Sequence, residues 1–250
     1  MPSVVPVLLA AASVAGAGVV TGLTGFGFAL VSVPLLLLVM DPASVVTTVL
    51  VIGQVTSAVN ALTARKHVEA HVLRALLPGA AVGIVIGSFV LRWLDADVLK
   101  LTAGALVVVF TGLLALYRGA PGRPPAGRAL LVGGASGVLT TSVGLSGPPV
   151  VLLMSAAVPD KDRSRATLAA YFALTSPLGL VALLLQGSTP PHAWLVALLL
   201  APVALAGRAV GSRLHRRTPA GAFRAITLAI TLAAGLGGVA SALAAMMTQR

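Results

Sequence analysis

Residues Pro42–Ala64 read PASVVTTVLVIGQVTSAVNALTA, 23 positions without one ionisable side chain. About 20 apolar residues in a helix span the hydrocarbon core of a bilayer, so this stretch has the length and composition of a membrane crossing. Working outward, Ala75–Leu91 and Leu101–Leu116 are equally free of charge. Over all 250 residues, 58% are hydrophobic and 9% charged, against about 45–50% and about 25% in a soluble domain. Too few charges remain to cover a soluble surface, and the fold class that follows is an all-α integral membrane protein.

The net charge of +11 would suggest nucleic acid in a soluble chain. Here the Lys and Arg residues sit in short segments between apolar runs, which is the positive-inside pattern and no nucleic-acid patch. The absence of cysteine excludes disulfides, Fe–S clusters and thiolate-bound zinc, and four histidines offer little else, so neither a metal nor a cofactor is expected. Met1-Pro2-Ser3 lacks the basic start of a signal peptide, which predicts that the first apolar stretch is retained. No polar stretch is longer than an ordinary loop, leaving nothing for an extramembrane domain.

Six spans are predicted, at Pro42–Ala64, Val72–Leu91, Val98–Tyr117, Arg165–Gln186, His192–Gly207 and Phe223–Met246. Two further apolar blocks, Val4–Met40 and Ala129–Val158, are too long for one helix each. Glycine and proline interrupt both, at Gly22-Leu23-Thr24-Gly25-Phe26-Gly27 with Pro34, and at Gly144-Leu145-Ser146-Gly147-Pro148-Pro149.

If each block returns to its starting side as a pair of half-helices, four basic segments share one face: Arg65–Arg74, Arg118–Arg128, Lys161–Arg165 and Arg208–Arg224. They hold 14 of the 17 Lys and Arg residues, which makes that face cytoplasmic and puts both termini outside. Two full helices per block would give the same sides; the glycine-broken halves favour the re-entrant pair. Each half, 1–120 and 121–250, then has one broken pair and three crossings, about eight helical segments in all. An odd number of crossings inverts the second half, and inverted repeats mark secondary transporters. A shift of 119 residues supports the duplication by pairing Gly25 with Gly144, Asp41 with Asp160, and Thr56-Ser57 with Thr175-Ser176.

Backbone that leaves the helix inside a bilayer must line a cavity or be buried in protein, since lipid supplies no hydrogen bonds. A helix that restarts there aims unpaired N–H groups and a partial positive charge inward, which suits an anion. Thr24 and Ser146 add hydroxyls at the breaks, and Gln54, Thr56, Asn60, Tyr171 and Thr175 lie on the spans that follow. The plainer alternative is that the glycines serve close helix packing and that Ser and Thr bond back to their own helices. For Asp41 and Asp160 the plainer alternative to a coupling role is a helix N-cap.

At these motifs the chain resembles the TauE/SafE sulfite exporter family, also called the toluenesulfonate uptake permease family. The resemblance is carried by Thr21-Gly-Leu-Thr-Gly-Phe-Gly-Phe-Ala-Leu-Val-Ser-Val-Pro34, by Gly144-Leu-Ser-Gly-Pro-Pro149, and by Arg165-Ala-Thr-Leu-Ala-Ala-Tyr-Phe-Ala-Leu-Thr-Ser176. It implies an inner-membrane permease for a small sulfur-containing anion such as sulfite or an organosulfonate, held where the repeats meet. The implied site falls on Gly22, Gly25, Gly27, Gly144, Ser146, Gly147 and Pro148. With Thr24, Phe26, Gln54, Tyr171 and Thr175 these are the expected substrate-binding residues. Phe26 stands where many members have a further glycine and Thr175 where asparagine is frequent; both bear on the identity of the substrate. The expected partners are that anion and the lipid bilayer, and self-association is left open.

Other functions can be weighed against this one. Gly134-Ala-Ser-Gly137 and Gly144-Leu-Ser-Gly147 both match the nucleophile motif of intramembrane serine proteases, but a serine nucleophile needs a base and all four histidines fall in or beside predicted loops. An anion channel would need a continuous pore. A non-transporting membrane subunit would need neither break.

Overall fold

The computed structural model describes residues 4–116, 125–158 and 160–215. They form nine α-helices: α1 (Val4–Thr24), α2 (Phe28–Leu36), α3 (Pro42–Ala64), α4 (Ala70–Trp93), α5 (Ala96–Leu116), α6 (Ala126–Ser142), α7 (Gly147–Ala157), α8 (Lys161–Leu185) and α9 (Pro191–His215), with a 3₁₀ turn at Arg65–His67. Among the described residues there is no strand. Six helices are long and apolar enough to cross a membrane: α1, α3, α4, α5, α8 and α9. Five of them match predicted spans; the sixth expected span, Phe223–Met246, lies outside the described residues.

The first broken block departs from the expectation of two half-helices. α1 has 21 residues, roughly 31 Å at 1.5 Å per residue, and is itself of crossing length, whereas α2 has only 9. In the second block α6 has 17 residues and α7 has 11. Gly16, Gly18 and Gly22 do not interrupt α1, because a neighbouring helix packs over the last two. A Cβ at Gly18 or Gly22 would run into the backbone carbonyl of Ala204 or Arg208 on α9. α4 and α6 approach in the same way: Gly79, Gly83 and Gly87 lie against the carbonyls of Leu130, Gly134 and Val138. Small residues at four-residue spacing let helix backbones touch, the usual device where lipid removes any hydrophobic drive between helices.

The basic segment Lys161–Arg165 and the described part of Arg208–Arg224, up to His215, are helical and not connections between spans. Asp160 begins α8 early, its carboxylate accepting the Arg163 N–H at 2.8 Å, and Asp41 does the same for α3 through the Ser44 N–H at 2.9 Å. Both aspartates are N-caps, which satisfy donors that the first helical turn leaves unpaired.

The ends of the helices sort into two groups. Pro6 and Val7 share a crevice with Met40, Asp41 and His192, so α1 begins where α3 and α9 begin. Gly133 of α6 lies against Leu76 of α4, and the Glu69 N–H donates to Thr167 of α8, so α6 begins where α4 and α8 begin. Phe28 and Gly147 open the two short helices, and Pro42 and Lys161 the helices after them, each pair 119 residues apart.

Candidate functional site

α1 stops at Gly25 (φ +81°) and α6 at Gly144 (φ +75°), and the described residues with positive φ are all glycines. An L-residue in that conformation costs roughly 1–2 kcal/mol. Space tightens the requirement at Gly25, where a Cβ would collide with the Arg165 side-chain stem. At Gly144 the nearest atom is a Val33 methyl at 3.3 Å.

Both breaks border one cavity of about 40 Å³, enough for a solute of a few heavy atoms or for water. The first break contributes Thr21, Gly25, Phe26, Gly27 and the opening residues of α2, Phe28, Ala29 and Leu30. The second contributes Gly144, Ser146 and Gly147. α3 supplies Val49, Leu50, Gly53 and Ser57, and α8 supplies Phe172 and Ser176. No wall residue is ionisable.

Hydrogen-bond donors converge on this space. The first bond into α2 runs from the Val31 N–H to the Gly27 carbonyl at 3.2 Å, leaving the N–H groups of Phe28, Ala29 and Leu30 without partners in their own helix. α7 offers fewer, because Pro148 and Pro149 carry no N–H. The hydroxyls of Ser57, Ser146 and Ser176 are not engaged by any other described residue, and Ser146 heads α7 without capping it. A neutral cavity walled by helix N-terminal N–H groups and hydroxyls can hold an anion without a fixed counter-charge.

Of the twelve expected site residues, Gly25, Phe26, Gly27, Gly144, Ser146 and Gly147 are brought together on the cavity. The others stand behind or beside it. Gly22 packs against α9, and its carbonyl accepts from Arg165 at 2.7 Å. The Thr24 hydroxyl accepts the Phe26 N–H at 3.1 Å and faces the carbonyls of Val20 and Phe26, so it shapes the turn. Gln54 follows Gly53 on α3, but its Oε1 is buried with no partner among the described residues. Pro148 is buried in the first turn of α7. The Thr175 hydroxyl returns to the Tyr171 carbonyl at 2.9 Å.

Tyr171 is fully buried and donates to Ser136 at 2.9 Å, while Ser136 donates to the Ser146 carbonyl at 2.6 Å. This relay ties the second break to α6 and α8 from behind. It also occupies the serine of one protease-like motif in a structural bond. Among the described histidine side chains, His71 pairs with Glu69, His67 is exposed in the 3₁₀ turn, and His192 lies beside Asp41 and Ser44.

Sequence reasoning singled out Thr175 and passed over its neighbour Ser176, as it passed over Ser57, Gly53 and Phe172. The signal was present in the Thr-Ser doublets at 56–57 and 175–176: in each, the threonine bonds back to its helix and the serine opens on the cavity.

A family model described as sulfite exporter TauE/SafE matches residues 9–237. The chain belongs to the TauE/SafE sulfite exporter family. Among curated relatives, it is 29% identical over 181 residues to a protein of Comamonas testosteroni named probable inner membrane transporter protein TsaS, covering 68% of this chain and 72% of that one. No solved structure matches it. As a family member with six helices of crossing length among the described residues, the chain is a multi-pass membrane transporter and not an enzyme.

Proposed function

We propose that this transporter moves a small sulfur-containing anion, sulfite or an organosulfonate, by alternating access. Residues 1–120 and 121–250 would act as two inverted repeats meeting at the cavity. The observation that carries the proposal is that two positive-φ glycine breaks, 119 residues apart, border one uncharged, donor-lined cavity. The starting ends of α1 and α6, at opposite ends of the molecule, support inversion. Transporters built this way hold substrate at interrupted helices, with half-helix N-termini facing anionic groups. In this reading the end bearing Glu69, Arg163 and Arg208 is cytoplasmic and both chain termini are outside.

Flux into proteoliposomes tests the function. Labelled sulfite uptake should be accelerated by unlabelled sulfite, taurine or sulfoacetate loaded on the opposite side, and an uncharged sulfone should not compete. Uptake without such exchange, carrying a current too large for a turnover-limited carrier, would favour a channel; equal competition by the sulfone would remove the electrostatic argument. Topology is tested separately on this cysteine-free chain. An impermeant thiol reagent applied outside cells should label Asp95→Cys and not Lys66→Cys.

A further inference from the structure

Two arginines stand beside Gly22 at the foot of the first break, and neither forms an ion pair with a carboxylate among the described residues. Arg165, in the second turn of α8, lays its stem over Gly25 and donates from Nη2 to the Gly22 carbonyl at 2.7 Å, with Ser212 Oγ at 3.4 Å. Arg208, one turn before Ser212 on α9, donates its Nε to Asn60 Oδ1 at 2.8 Å. Both guanidinium side chains are half-buried.

The whole chain has six acidic residues, and none forms an ion pair with Arg165 or Arg208. Glu69 is held by Arg163 at 2.6 Å and His71 at 3.3 Å, Asp97 by Lys100 at 3.7 Å, and Asp41 lies beside His192. Asp160 caps α8 and Asp95 immediately precedes α5. Asp162 lies one turn before Arg165 on the same helix without forming an ion pair with it.

Asn60 supplies the second, independent observation. It is 4% exposed, and because an arginine Nε can only donate, the amide must turn Oδ1 toward Arg208. That orientation leaves Nδ2, a buried donor, without any partner among the described residues. Buried polar groups are nearly always satisfied, and two like charges withdrawn from water call for a counter-charge.

We propose that Arg165, Arg208 and Asn60 form an oxyanion-binding site, distinct from the cavity between the breaks. Its ligand is a group with at least two charged oxygens, which planar guanidinium groups grip through paired N–H donors. A free sulfur or phosphorus oxyanion and the phosphate of a lipid headgroup share this chemistry. None of the three residues borders the other cavity, so the site stands or falls independently of the transport proposal.

The test is thermal unfolding of purified protein in neutral detergent, titrated with sodium sulfate, sodium sulfite or sodium phosphate at ionic strength held constant with chloride. A saturable rise in Tm is expected with the oxyanions and not with chloride. It should persist in Gly53→Leu, which fills the other cavity, while Arg208→Gln should raise the half-saturating concentration at least tenfold. Asn60→Asp guards against a misfolded arginine variant: its carboxylate should satisfy the pair from within, raising Tm without ligand and abolishing the oxyanion response. Nanodiscs separate the two sources of ligand. A half-saturating sulfate concentration that rises with phosphatidylglycerol content in the unsubstituted protein, and not in Arg208→Gln, identifies a headgroup phosphate; no dependence on lipid identifies a free oxyanion. The proposal is overturned if oxyanions act no differently from chloride, or if Arg208→Gln and Asn60→Asp respond as the unsubstituted protein does.

Discussion

Ser57 on α3 and Ser176 on α8 stand 119 residues apart in the chain and open onto the same cavity, each preceded by a threonine whose hydroxyl is spent on its own helix. The difference predicts an asymmetry within each doublet. A hydrogen bond to a charged partner is worth about 1.5–3 kcal/mol, and 1.4 kcal/mol is about tenfold in affinity. Ser57→Ala and Ser176→Ala should therefore each weaken apparent substrate affinity about ten- to a hundred-fold in uptake assays. Thr56→Val and Thr175→Val should leave it within about threefold. Equal effects across the four variants would mean that the serines do not meet the substrate.

The two breaks are predicted to differ in tolerance. Gly25→Ala meets both a left-handed backbone and the Arg165 stem, and transport should be abolished. Gly144→Ala bears a similar backbone cost of roughly 1–2 kcal/mol, but a Val33 methyl at 3.3 Å can yield, so reduced transport should survive. Gly16→Ala in regular α1 meets nothing within 4 Å and should preserve transport, with a stability gain of about 0.5–1 kcal/mol from helix propensity. Initial uptake rates normalised to monodisperse protein on size exclusion make the comparison.

Gly53 separates blockage from damage. It lies in the body of α3 on the cavity wall, with open space where a Cβ would be placed. Gly53→Leu should fill the cavity and stop uptake, while Tm stays equal or rises because leucine is the better helix former. Undiminished uptake at equal protein level would place the transport path elsewhere.

At the opposite end, Asp41 predicts an acid-sensitive contact. Partial burial pushes its carboxyl up, but hydrogen bonds from the Ser44 hydroxyl and N–H, together with nearby His192, leave it below the ordinary 3.8. A carboxylate with a depressed pKa contributes its stability at all pH values above its unfolded pKa, near 3.9. That contribution is lost as pH falls through the folded value. Tm should therefore fall below about pH 4, and less steeply in Asp41→Asn, which retains a capping side chain. The carboxylate is 53% exposed, so the difference should be small and reduced by salt. Identical acid limbs in the two proteins would show that the contact carries no linkage.

Much of the fold was legible in local sums. Runs such as Pro42–Ala64 have no charge over a bilayer's length, and Asp41-Pro42 announces a helix start. Gly25 and Gly144 marked where α1 and α6 end, but Pro34, read as part of the first interruption, lies inside α2. The extent of α1 was less legible: Gly22 looked like part of the interruption, and only the close approach of α9 shows it to be a contact point inside the helix. The same holds for the surroundings of Arg165 and Arg208: as sequence they were the first residue of a span and a charge beyond the end of another, and in the fold they are helical residues beside Gly22 and Asn60.

The sequence alone determined that the chain is a helical membrane protein and where its broken segments lie. These follow from length, charge and backbone chemistry, which act residue by residue. Tertiary structure decided which side chains face the cavity: Ser176 in place of Thr175, Gly53 in place of Gln54, and Tyr171 only through Ser136. A helix that is apolar on all sides has no hydrophobic face to set its rotation. Its orientation is set instead by where small residues admit a neighbouring backbone, a property of two helices together that neither segment carries by itself.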